Sequence, residues 1–163
     1  SDLGEGIEYY YKMFDSGLSH HVGNGKAKLE NVRLHTEDTG HGDEAVMVGP
    51  GGNLPVELAI ALDDDVREAM LGIVIFNAEY RPIAQVHTKS DDFVLKNNGP
   101  VNHVTASLKS LYLNGGKYSL HINISDPATG QWLLRAGDVA TFQASFRHHS
   151  STDFLLPCAW RQN

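Results

Sequence analysis

The sequence is short of cysteine, of basic residues and of long apolar runs, and each shortage closes off a class of protein. A single cysteine, Cys158, leaves no internal disulfide to form. Extracellular sandwiches of this size are commonly stapled by one, so the chain reads as a domain for a reducing compartment. Lys and Arg number 13 against 20 Asp and Glu, a formal net charge of -7. Nucleic-acid binding needs a positive surface facing phosphates, and no Lys/Arg cluster supplies one. Anionic membrane surfaces are disfavoured for the same reason. No stretch approaches the ~20 apolar residues that cross a bilayer. The N-terminus has no basic region followed by an apolar run, so it does not read as a signal peptide, and cytoplasmic residence is expected. The chain begins at Ser1 without Met, as a segment excised from a longer protein would.

Catalytic signatures are missing as well. There is no Gly-x-Ser-x-Gly elbow and no Walker loop. Glycoside hydrolysis needs two carboxylates flanking one bond, and no two of the loop carboxylates stand out as a pair. Nine histidines include His20-His21 and His148-His149. Neighbours on a strand point to opposite faces, so such a pair cannot readily share a metal, and no zinc-ligand spacing occurs. Asp63-Asp64-Asp65 lacks the alternating ligands and glycine of a calcium loop. Solvated histidines and a solvated acidic loop account for these residues, and Cys158 reads as a small packing residue near the last strand. No metal, no cofactor and no catalysed reaction is expected.

What the chain does have is strand and turn chemistry. Residues 5–18 form an exception: Ile7, Tyr10, Tyr11, Phe14 and Leu18 share one helical face, with Gly17 placed to end the helix. From Gly23 the pattern shortens to strands. Lys26–Leu34 carries a phase slip, because Ala27 and Leu29 are followed by Val32 and Leu34. Ala45–Val48 and the alternating Leu54–Leu62 come next. Leu71–Asn77 is almost wholly apolar, as a central strand would be. Ile83–His87, Val101–Leu113, Tyr118–Ile124, Val139–Arg147 and Phe154–Trp160 complete the set. Gly51-Gly52-Asn53, Asn97-Asn98-Gly99-Pro100, Asn114-Gly115-Gly116 and Ser125-Asp126-Pro127 punctuate them. The expected fold is all-β: an immunoglobulin-like antiparallel β-sandwich over residues 23–163, preceded by a short N-terminal helix and linker over residues 1–22.

Two late strands offer the candidate site. Tyr118, Leu120, Ile122 and Ile124 point inward, which turns Ser119, His121 and Asn123 outward. Ala140, Phe142, Ala144 and Phe146 point inward, which turns Thr141, Gln143, Ser145 and Arg147 outward. Side chains at i and i+2 lie about 6.6–7 Å apart, and adjacent strands about 4.8 Å apart. Ser119, His121 and Asn123 beside Gln143, Ser145 and Arg147 therefore make a grid on the scale of sugar hydroxyls. Sugars take neutral donors and acceptors in a fixed pattern, with aromatic surface for their C–H faces. Trp132 and Arg135, in a segment that reads as turn, add a stacking and a charged group. The plainer reading is a solvated strand face, with Trp132 a packing residue.

The stretch from Phe76-Asn77 to Arg81-Pro82-Ile83, the run from Val104 through Leu113-Asn114-Gly115-Gly116-Lys117-Tyr118-Ser119-Leu120, the strand Val139–Ala144 and the terminal Trp160 occur in a telling order. Together they resemble the C-terminal carbohydrate-binding domain of Wzt-type ABC transporter nucleotide-binding subunits, which export O-antigen polysaccharide. The resemblance covers residues 23–160. Ala144 departs from the usual Val, and Gln85-Val86-His87 is not diagnostic. The resemblance implies an ATPase domain ahead of Ser1, placing the domain at the inner membrane beside the transporter. It also implies recognition of the modified non-reducing end of a finished glycan, and a homodimer exchanging its final strand. It transfers no binding residues.

A carboxylate or phosphate cap on that glycan would call for Arg147, Arg135 or Arg81, with His121 assisting. A neutral, methylated cap would call for aromatic and apolar contact. Two other functions compete: a structural or protein-interaction immunoglobulin-like module, marked by a large apolar patch without a polar concavity, and a carbohydrate-active enzyme, marked by a close carboxylate pair.

Overall fold

The computed structural model describes residues 21–35, 46–145 and 150–162. Their strands are β1 (His21–Gly23), β2 (Ala27–Leu34), β3 (Met47–Val48), β4 (Gly52–Leu62), β5 (Glu68–Phe76), β6 (Pro82–His87), β7 (Leu95–Lys96), β8 (Asn102–Leu111), β9 (Gly116–Ser125) and β10 (Trp132–Ala144). A single 3-10 turn, Thr88–Asp91, follows β6. The expected helix over residues 5–18 lies outside the described residues. β1 spans the expected boundary between linker and sandwich.

The larger sheet runs β1-β10-β9-β5-β6, with β3 also pairing β10 and β7 also pairing β5. The smaller sheet is β2-β4-β8. Every pairing is antiparallel except the short β3–β10 contact. Alternation in the sequence fixes which side of each strand meets the other sheet. Leu54, Val56, Leu58 and Ile60 of β4 pack with Leu71, Ile73 and Ile75 of β5 and with Leu120, Ile122 and Ile124 of β9 in one buried cluster. Each such side chain contributes about 1.5–3 kcal/mol of burial. Tyr118 stacks on Phe142 with ring centroids 5.5 Å apart, and its hydroxyl donates to the Asn114 carbonyl at 2.7 Å. The phase slip in β2 is a register shift between Leu29 and Asn31 against β4. At the sheet edge β1 presses directly on β10: a Cβ on Gly23 would lie 2.2 Å from the Leu133 carbonyl oxygen, so only glycine allows this approach.

Three expectations need correction. β10 begins at Trp132, not Val139. A bulge between Ala136 and Ala140 breaks the alternation, so the strand's first half looked like turn. Phe154–Trp160 is not a strand: Phe154 makes one isolated bridge to Leu113, and Pro157 has no N–H to extend a ladder. Leu156 and Trp160 are 81% and 91% exposed. Cys158 is exposed too, not packed. Among the described residues no helix is long and apolar enough to cross a membrane.

Candidate functional site

The side chains of β9 that turn away from the core meet those of its neighbours on the outer face of the larger sheet. Register places Val74 beside His121 and Phe76 beside Ser119 on β5. On β10 it places Thr141 beside Ser119, Arg135 beside Asn123, and Gln143 beside Lys117. The expected division of β9 into an even and an odd face therefore holds.

The expectation that the odd face is wet does not hold throughout. His121 is 2% exposed and Ser119 is 8% exposed. The reason lies on β5, where Phe76 is fully buried and Val74 nearly so, yet neither belongs to the cluster between the sheets. The Phe76 ring stacks on the His121 imidazole with centroids 3.9 Å apart and planes 21° apart. A second, thinner buried layer thus lies outside the larger sheet.

This layer has its own electrostatics. Burial pulls the His121 pKa down from 6.5 to about 4, and the nearby Asp138 carboxylate offsets only part of that effect. The imidazole is therefore neutral near pH 7, with Nε2 3.4 Å from Asp138 Oδ1. Asp138 can stand over His121 because it occupies the β10 bulge, where its φ is 47°. That left-handed conformation suits Asp better than most side chains.

Beside this pair the outer face is hollow. Asn77, Tyr80, Lys117, Ser119, Asp138 and Thr141 line a concavity of about 190 Å³. Ser119 Oγ is buried there with no hydrogen-bond partner among the described residues. A buried hydroxyl left without a partner costs about 1–3 kcal/mol, so such groups are uncommon. Asn77 shapes the wall: its Oδ1 accepts from the backbone N–H of Glu79 and Arg81, and its Nδ2 donates to Asp153. The resulting turn sets Tyr80 at φ 56° on the rim, 42% exposed.

The eight residues expected to form one grid divide into groups. Ser119 lines the concavity, His121 lies buried beside it, and exposed Gln143 stands opposite Lys117 at the same end. Asn123 is half-buried, four residues along β9 and so about 13 Å away. There it pairs with Arg135, whose guanidinium carbon sits 4.7 Å from the centre of the 43% exposed Trp132 ring. Trp132 and Arg135 thus belong to a strand, not a turn. Ser145 follows β10 and turns to β3, its hydroxyl 3.5 Å from the Val48 carbonyl. Arg147 lies outside the described residues. Asn77, Tyr80, Lys117, Asp138 and Thr141 were not among the expected site residues. Thr141 was already legible as outward-facing, and Gly137-Asp138 marked the interruption of an otherwise apolar alternation.

The two sheets form an immunoglobulin-like β-sandwich with a polar concavity on the outer face of the larger one. The class narrows to one family: the chain belongs to the Wzt C-terminal domain family, whose model matches residues 19–154. That family supplies the carbohydrate-binding domain of O-antigen polysaccharide exporters. The crystal structure of the C-terminal domain of wzt has the same fold, with a TM-score of 0.74 at 16% identity, covering 89% of each chain. The PmoD soluble domain from Methylocystis sp. ATCC 49242 (Rockwell) reaches a TM-score of 0.37 at 13% identity, covering 78% of this chain and 97% of its own. A beta-glucosidase from Listeria innocua in complex with glucose reaches 0.40 at 14% identity, covering 78% of this chain and 16% of its own. No curated protein matches the chain.

Proposed function

We propose that this domain reads the modified non-reducing terminus of an O-antigen polysaccharide and thereby admits finished chains to an ABC exporter. The observation that carries this reading is the unpartnered Ser119 hydroxyl, buried in the wall of a concavity it shares with Lys117, Asp138 and Thr141. A sugar hydroxyl both donates and accepts, and so can satisfy such a group when bound. Tyr80 on the rim offers ring surface to the C–H face of a sugar. The domain binds and does not catalyse: Asp138 is the one carboxylate among the described lining residues, where glycoside hydrolysis takes two.

The domain acts in the cytoplasm, carried by an ATPase domain that precedes it and docks on the membrane-embedded part of the exporter. It works as a homodimer that exchanges the segment after Phe154. Exposed Leu156 and Trp160, in a stretch bridged to the sandwich only through Phe154, support the exchange.

Titration of the chain with the polysaccharide of its source organism, prepared with and without the terminal modification, tests the reading. Binding of the modified form, at least tenfold tighter than the unmodified one, is expected. Equal binding of the two forms would defeat terminus recognition.

A further inference from the structure

We infer that the concavity accepts an uncharged terminal sugar residue and holds it by hydrogen bonds that the sugar hydroxyls donate to the Asp138 carboxylate, an inference that rests on the glycan-reading role proposed above. Its size comes first. About 190 Å³ is below the ~300 Å³ at which pockets for drug-sized ligands begin, so it suits one sugar ring with the chain leading away from it.

The distribution of charge then selects the ring. Asp138 accepts hydrogen bonds and donates none, so it pairs with hydroxyl donors and repels a carboxylate or phosphate. His121 next to Asp138 is neutral near pH 7 and supplies no positive charge to an anion. Lys117 is the lone cation among the described lining residues, and it is exposed to solvent. Arg135 would be the natural partner for an anionic cap. It lies about 13 Å along the sheet, beside Trp132. Arg81 follows Tyr80 in the turn but does not line the concavity.

The donors and acceptors that remain match a neutral ring. Asp138 takes two hydroxyl protons, as a carboxylate can. Ser119 Oγ gains the partner it lacks, and Thr141 and Asn77 flank the ring with neutral groups. Hydrogen bonds to a charged group are about twice as strong as neutral ones, so Asp138 carries most of the selection. A methyl ether on one hydroxyl leaves the ring uncharged and is compatible with this site.

NMR titration of the chain tests the inference. The probes are methyl glycosides of mannose, glucose and galactose, the corresponding methyl uronosides, and the source polysaccharide. At least one neutral glycoside is expected to bind about tenfold or more tighter than its uronoside. Asp138→Asn retains a residue that tolerates the left-handed bulge. It is expected to weaken the neutral ligand and the polysaccharide about tenfold, and to narrow the gap to the uronoside. Thr141→Ala, at an exposed position, is expected to weaken binding about threefold and serves if Asp138→Asn loses its native amide spectrum. Uronosides binding as well as neutral sugars, or polysaccharide binding unchanged in both variants, would overturn the inference. No binding of any probe, polysaccharide included, would instead remove the glycan-reading role itself.

Discussion

β4 and β9 carry the same kind of alternating sequence and end in different surroundings. Each is flanked on both sides by partner strands, and each sends one row of aliphatic side chains into the sandwich. The other row of β4, with Pro55, Glu57, Ala59 and Ala61, stays at least partly open to water. In the other row of β9, Ser119, His121 and Ser125 are buried and only Lys117 at its start is exposed. Alternation therefore decides which face a side chain joins, not whether that face is dry. Neighbouring strands decide dryness: β5 sets Val74 and Phe76 next to the β9 row, whereas β8 sets Thr105 and Ser107 next to the β4 row.

The two inner rows are the common ground of the comparison, and the largest effects belong there. Ile60→Ala and Ile122→Ala are each expected to cost about 2–5 kcal/mol in denaturant unfolding, because both delete fully buried aliphatic groups. The outer rows should then part company. His121→Ala removes a buried ring stacked on Phe76 and is expected to cost about 2–4 kcal/mol. Glu57→Ala, whose carboxylate faces His35 at 2.9 Å on the open, water-screened face, should cost much less than His121→Ala. Equal costs for the two would erase the distinction between the faces.

Acid sharpens the contrast. The unfolded chain takes a proton on His121 near the ordinary 6.5, but the folded chain does so only near 4. Between those values the unfolded state binds more protons, so His121 makes stability fall as pH drops from 6.5 to 4. The loss should total about 2–3 kcal/mol, and unfolding of His121→Gln should lack it. Glu57 acts lower. The His35 side chain 2.9 Å away holds its carboxyl below the ordinary 4.5, so its small contribution disappears only as pH falls through the acid range below that value.

The smallest effect has the opposite sign. Ser119→Ala deletes a buried hydroxyl without a partner and should leave thermal stability unchanged or raise it by up to about 1 kcal/mol. The same substitution should weaken glycan binding. A site that trades stability for function behaves this way. A clear loss of stability would mean that Ser119 has a structural role.

Much of this architecture was legible in the residues. The inner rows of β4, β9 and β10, the phase slip of β2 and the turn between β8 and β9 all follow from local pattern. Burial of Ser119 and His121 does not, because it depends on which strand lies alongside. A signal existed nonetheless. The almost wholly apolar run Leu71–Asn77 puts Val74 and Phe76 on a face that an ordinary sandwich strand leaves wet, which marks that face as covered. The start of β10 was hidden by its bulge, and the same bulge delivers Asp138 to the site. The closing segment carries the apolar run Phe154–Pro157, yet an apolar run without a neighbouring ladder gives a single bridge.

Amide chemical-shift mapping on the isotopically labelled chain, titrated with its terminally modified polysaccharide, puts the two outer faces in direct competition. Perturbations centred on Lys117, Ser119, Asp138 and Thr141, with Glu57, Ala59 and Thr105 silent, are the expected result. Shifts centred on the β2-β4-β8 face, with the Ser119 concavity unmoved, would contradict the account.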